Sequence, residues 1–258
     1  MIGVNTALLT HVGRVRQMNE DRAWSGRLSE GLTAVIVADG MGGHRAGDVA
    51  SGLAVDSLSE SLKLWDAAWS EEEGTANVRL MIRKANEAVY ETASLNEKYH
   101  NMGTTVVLAV LTEQAGWIGH IGDSRAYRLR DGELEQLTED HTLVNELTKT
   151  GQISPEEAAH HPRRNVLTRA LGTDRDVPAD VRTIDWRPGD RLMLCSDGLS
   201  GLVAKPLLEE TLKQADVPLD RLAEQLVEMA LEAGGDDNIT VVLVGDVKAP
   251  NAAEGGTA

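Results

Sequence analysis

Four aspartates stand where apolar strands end or begin. Asp39 follows the run 34–38, Asp123 follows 117–122, Asp197 follows 192–195, and Asp237 precedes 239–244. Each has a small or polar neighbour: Asp39-Gly40, Gly122-Asp123-Ser124-Arg125, Asp197-Gly198 and Asp237-Asn238. A carboxylate at the end of a rigid strand, beside glycines that let backbone approach a ligand, is suited to holding a cation or a phosphate. In antiparallel sheets the end of one strand and the start of its neighbour share a rim, so these distant acids can meet. Like charges brought together raise each other's pKa unless a cation neutralises them, so convergence implies metal. The donors are all oxygens, which selects magnesium or manganese over zinc or copper. One aspartate shared by two such ions, with a water held between them, gives a nucleophile and a clamp for in-line attack on phosphorus. The plainer reading, Asp-Gly pairs as ordinary turn formers, requires four coincidences.

The elements that must position these acids are legible in outline. Residues 32–51 organise the chain: a β-branched strand buried on both faces, Asp39-Gly40-Met41-Gly42-Gly43-His44, then helical spacing over 46–64. Residues 3–12 form a first strand, and 13–21 are a loop dense in charge of both signs. Residues 65–74 connect, and 75–96 make a long amphipathic helix with Val78, Met81, Ile82, Ala85, Val89 and Ala93 on its apolar face. From 104 to 138 strand composition recurs between turns at 113–116 and 130–132, which predicts an antiparallel meander. Residues 139–150 and the Ser154-Pro155 start predict two helices. His160-His161 are expected on the surface, and Arg163 and Arg164 offer a grip on an anionic substrate. Helices over 205–214 and 219–233 precede a last strand, and the tail 249–258 is expected to fray.

Composition narrows the classes. The 258 residues carry 41 acidic against 25 basic side chains, a net charge of −16, so the molecule's field repels nucleic acid and anionic membrane. No apolar stretch approaches the ~20 residues of a membrane helix, and the N-terminus lacks a basic and apolar leader. One cysteine, Cys195, excludes an internal disulfide and is expected in the core. A cytoplasmic protein is the expectation.

The segments GRVRQMNED, VADGMGGHRAG, MGTT, GHIGDSRAY, LCSDGL and GGDDNITVVLV, in this order, resemble the signature blocks of the type 2C metal-dependent Ser/Thr protein phosphatases, in particular their bacterial single-domain branch. The resemblance runs from about residue 3 to residue 246. It implies an α+β fold, an α-β-β-α sandwich of two antiparallel sheets flanked by helices, as a single catalytic domain over 1–248 with a flap at about 140–172. It further implies hydrolysis of phosphoserine and phosphothreonine by a water bridging two manganese or magnesium ions. Asp39 would bridge both ions, with the Gly40 carbonyl on one, while Asp197 and Asp237 complete the other and Asp123 offers a third, weaker position. Arg16 would grip the substrate phosphate, and Glu20 and Asp21 would orient metal-bound waters. The implied partners are phosphorylated proteins and an opposing Ser/Thr kinase, with the phosphatase acting as a monomer.

One position departs from the family. Where eukaryotic members carry a histidine after Asp-Gly, this chain has Met41, which donates no proton, leaving a metal-bound water or another side chain such as His44 as general acid. Two other readings use the same residues: a phosphatase of small esters, and a silent member that only binds phosphoproteins. The intact acid set and Arg16 argue against the silent member.

Overall fold

Strand β3 (Leu32–Met41) sorts its side chains by parity. Ala34, Ile36 and Ala38 enter one apolar cluster, while Val35 and Val37 enter another. Both faces are covered, so the alternation of a half-exposed strand is absent from its hydropathy. The computed structural model describes residues 4–42, 46–113 and 115–246, and builds its layers around such strands.

One sheet runs β1 (Val4–His11), β11 (Ile239–Asp246), β10 (Arg191–Cys195), β7 (Arg125–Arg130), β8 (Glu133–Gln136). The other runs β2 (Asp21–Ser29), β3, β5 (Val106–Leu111), β6 (Gly116–Ile121), β9 (Asp180–Ile184), with the short β4 (Gly103–Thr104) paired to the end of β3. All these pairings are antiparallel. Val107, Ala109 and Ile118 of one sheet meet Leu192, Leu194, Val242 and Val244 of the other in the middle layer.

Helices α1 (Ala46–Leu62) and α2 (Glu71–Leu95) cover the outer face of the β3 sheet. Helices α6 (Lys205–Leu212) and α7 (Leu219–Glu232) cover the β11 sheet, where Leu222, Leu226 and Ala230 pack on Val241 and Leu243. This is the expected α-β-β-α sandwich. Helix α2 begins four residues before the apolar periodicity does, because Ser70 and Glu73 form a reciprocal capping box and Glu71–Glu73 complement the helix dipole. Between β8 and β9 lie the short helices α3 (Leu143–Lys149) and α4 (Pro155–Ala159), the second opened by a capping box at Ser154 and Glu157. Helix α5 (Asp197–Ser200) is a single turn.

The meander expected over 104–138 is corrected. Strands β5 and β6 pair in one sheet and β7 and β8 in the other, so the chain crosses the sandwich at Gly122-Asp123-Ser124. Gly122 makes the crossing possible: its φ of 102° is strained for any side chain, and a Cβ there would stand 2.6 Å from Thr105 Cγ2. Strands β2 and β9 are additions to the sequence reading, and both are sheet edges. Cys195 is fully buried, its thiol pushed up to about 12 by burial, while His160 is exposed and His161 half-buried. His44 and the tail 249–258 lie outside the described residues.

Candidate active site

Three strand ends open onto one cavity of about 560 Å³ between the sheets' rims. Asp39 comes from β3, Asp197 follows β10, and Asp237 precedes β11; Asp123 enters from the β6–β7 crossing. Arg16, Glu20, Gly40 and Met41 also line it, as do Leu167, Thr168, Arg169 and Asp174 from the segment before β9. The fold brings Asp39, Gly40, Asp123, Asp197, Asp237, Arg16 and Glu20 together, while Asp21 sits behind the cavity wall, 1% exposed, and Arg163 and Arg164, expected to grip an anionic substrate, are exposed and do not line the cavity.

Backbone packing fixes the Asp39 end. Its amide donates to Thr105 Oγ1 at 3.0 Å, and its carbonyl accepts from Thr104 Oγ1 at 2.8 Å and from the Thr105 amide at 2.9 Å. Gly40 lets the first turn of α1 come close: a Cβ there would stand 2.1 Å from the Gly47 carbonyl oxygen. Glu20 faces that same turn, and the Gly47 and Asp48 amides and the Arg16 guanidinium hold its carboxyl down against a larger upward push from burial.

Asn238, which sequence reasoning passed over, ties the charged loop to β11. Its Oδ1 accepts from the Glu20 amide at 2.8 Å, and its Nδ2 donates to the carbonyls of Val12 and Met18, each at 2.9 Å. Arg16 thereby reaches the rim with Nη2 2.7 Å from Asp237 Oδ2 and half its side chain open to solvent. Asn86, a polar residue on the buried face of α2, anchors the segment before β9. It accepts from the Gly172 amide at 2.8 Å and donates to the carbonyls of Asp174 and Arg175. No local signal marks either asparagine, because their partners lie far along the chain.

The electrostatics are those of crowded acids. Burial first, then the charges of Asp21, Asp197, Asp123 and Asp237, push Asp39 well above the ordinary carboxylate range. Burial followed by Asp197 takes Asp123 up to about 7, and Asp197 is raised by burial and by Asp237. Asp21 is raised to about 6, again chiefly by burial, while Ser196 Oγ donates to its Oδ2 at 2.8 Å. The Oδ1 atoms of Asp197 and Asp21 are buried and lack a hydrogen-bond partner. Buried, mutually repelling carboxylates with spare lone pairs fit hard divalent cations.

A second group, unremarked in the sequence, has ligand atoms all within 4.8 Å of one another: His120, His141 and Asp180. The two rings stack with centroids 4.6 Å apart, and each is engaged in hydrogen bonds.

Comparison with known proteins agrees with this geometry. The Protein phosphatase 2C family model matches residues 11–243. The chain is 43% identical over 235 residues to the serine/threonine phosphatase stp of Listeria monocytogenes, covering 91% of this chain and 93% of that one. The crystal structure of the Mycobacterium tuberculosis serine/threonine phosphatase PstP/Ppp superposes with a TM-score of 0.86 at 36% identity, covering 95% and 99% of the two chains. A structure of the PstP catalytic domain in complex with 2 manganese ions superposes with a TM-score of 0.82 at 36% identity, again covering 95% and 99%. With its two-sheet architecture and its rim of buried acids, the chain belongs to the protein phosphatase 2C family.

Proposed function

We propose that this protein is a metal-dependent phosphatase of phosphoserine and phosphothreonine in proteins, with Asp39, Asp197 and Asp237 holding two divalent ions and Asp123 serving a third. The observation that carries this is the convergence of Asp39, Asp123, Asp197 and Asp237 on one cavity, with Asp197 Oδ1 buried and lacking a hydrogen-bond partner among the described residues and an open guanidinium at the rim. When bound, the ions supply Lewis-acid charge and an activated water for attack on phosphorus.

The chain's own residues supply the rest. Asp39 sits centrally, repelled by four acids, and is suited to bridge two positions, with the Gly40 carbonyl beside it. Arg16 presents a planar fork that matches two phosphate oxygens and orients the ester for in-line attack. Glu20 lines the same cavity and Asp21 feels the charges of Asp197 and Asp237, a placement suited to orienting coordinated water. Met41 lines the cavity and offers no proton, so the leaving oxygen takes its proton from elsewhere.

On this reading the substrates are phosphorylated proteins, the opposing enzyme is a Ser/Thr kinase, and residues 1–248 act as one catalytic domain, a monomer whose site is built from one chain. A cytoplasmic location belongs to the same reading, supported by the lone, buried Cys195. No helix among the described residues is long and apolar enough to cross a membrane.

The deciding measurement is release of phosphate from a phosphothreonine peptide with manganese and after chelation. Activity that survives chelation, or survives Asp39→Asn and Asp237→Asn, refutes the mechanism. Faster turnover of small phosphate esters than of any phosphoprotein would move the substrate class, and tight phosphopeptide binding without turnover would make the protein a reader.

A further inference from the structure

His141, two residues before α3, is 3% exposed and hydrogen-bonds to three separate parts of the chain. Its Nδ1 accepts from the Gly122 amide at 3.0 Å, and its own amide donates to the Gly122 carbonyl at 3.0 Å. Both hydrogen-bonding groups of the residue preceding Asp123 are thus gripped by one histidine. Its carbonyl accepts from the Thr168 amide at 2.8 Å, and its Nε2 lies 3.1 Å from Asp180 Oδ2.

The tautomer follows from these partners. An Nδ1 that accepts from a backbone amide carries no proton, so in the neutral ring Nε2 carries it and donates to Asp180. Asp180 in turn accepts from Arg169 Nη1 at 3.0 Å and from Nη2 at 3.4 Å. Asp123, Thr168 and Arg169 all line the cavity. His120 stacks on His141 and its Nε2 lies 2.9 Å from the Glu139 carbonyl, an acceptor, so that nitrogen carries its proton too. With these ring protons committed, and with Arg169 already paired to Asp180, the cluster works as a hydrogen-bond relay and not as a metal site.

We propose that His141 is a positioning residue with two separable outputs: through Nδ1 it sets the Gly122-Asp123 turn, and through Nε2 and Asp180 it aims Arg169 into the cavity. Asp123 adds negative charge to the acid set, whereas the Arg169 guanidinium, lining the same cavity, favours an anionic substrate. One side chain thereby couples the metal side of the cavity to its substrate side. This rests on reading the cavity as a phosphatase site.

The test separates the two nitrogens by variants that keep one each, assayed as the manganese concentration that half-saturates binding, followed by calorimetry without substrate, and as KM for a phosphothreonine peptide. His141→Asn retains an acceptor near Nδ1 and loses the Nε2 donor; we expect KM to rise about 10-fold with the half-saturating manganese concentration near wild type. His141→Gln retains a group near Nε2 and loses the acceptor; we expect half-saturating manganese to rise about 10-fold with little change in KM. Asp180→Asn should reproduce the first pattern, and it tests that arm even if the glutamine variant fails to fold. If all three variants move both parameters in parallel, or move neither, His141 only supports the fold and the proposal is overturned. A wild-type protein that releases no phosphate would instead sink the functional reading beneath it.

Discussion

Asp21 stands directly opposite Asp39 in the antiparallel β2–β3 pair, so the acid at the heart of the cavity has a second, fully buried acid on the same sheet face. Asp21 Oδ2 accepts from the Ser196 hydroxyl, while its Oδ1 is buried and lacks a partner among the described residues. Asp21→Asn keeps the shape and removes the charge. The fold should survive, while the manganese concentration for half-maximal activity should rise 10-fold or more, as for other residues behind metal ligands. Unchanged metal dependence would show that Asp21 is inert.

Asp123 gives the protein a pH signature when metal is chelated. Its folded pKa is raised from 3.8 to about 7, so its contribution to stability is fully present below about pH 4 and is lost as pH rises through 7. His120 and His141, both lowered by burial, act in the opposite sense below pH 6.5, His141 down to about pH 4, and they cancel when wild type and variant are compared. Asp123→Asn should therefore melt with wild type near pH 4 and progressively above it toward pH 8. A full shift is worth ~1.4 kcal/mol per unit, and partial solvation reduces the gain to about 1–2 kcal/mol, a few degrees. Thermal melts in chelator check this, and a gap that stays constant with pH contradicts it.

Gly40 tolerates no side chain, because its Cβ would land 2.1 Å from one backbone oxygen and 2.6 Å from another. Neither oxygen can swing aside as a side chain would. Gly40→Ala should cost about 3 kcal/mol or more, seen as a drop of roughly 6–12 °C in Tm. A variant within a degree or two of wild type would mean that α1 can retreat freely from β3.

Asn238 makes three hydrogen bonds to the loop that carries Arg16 and Glu20. Asn238→Ala should lose about 2–4 kcal/mol, at ~0.5–1.5 per bond with some penalty for groups left unpaired. It should also lower kcat/KM, because the loop no longer holds Arg16 at the rim. Asn238→Asp keeps the acceptor, loses both donors and should fall between the two. Equal stability of all three proteins would show that the loop is held by other means.

Arg16→Lys preserves charge but not the planar fork. For a residue that grips two phosphate oxygens, KM should rise about 10-fold with a smaller effect on kcat, and Arg16→Ala should exceed it in both. A lysine variant with wild-type kinetics would reduce Arg16 to the partner of Asp237 seen in the structure.

How much of this the sequence showed depends on where the signal was stored. Strands β3, β5, β10 and β11 are legible because both faces are buried, leaving unbroken apolar runs, and α4 announces itself with a proline and a capping box. Edge strands β2 and β9 were missed because their half-exposed faces carry charge where a central strand carries valine. The crossing at Gly122 lies within a stretch of strand composition whose expected turns are at 113–116 and 130–132, and no local residue pattern marks a change of sheet. The acids were found by type and position, but Asn238, Asn86 and His141 act through partners 19 to 226 residues away along the chain, and no spacing rule points to them.

The cavity straddles the two sheets, with Asp39 on one and Asp197 and Asp237 at the ends of strands in the other. The distance between its walls is therefore set by the thickness of the valine and leucine layer that separates them, residues such as Val107, Leu194 and Val242 that never meet a substrate. Trimming that filling by a methyl or two would let the halves settle toward each other and detune the gap, so loss of turnover in this protein can originate deep in its interior, well before any loss of folding is measurable.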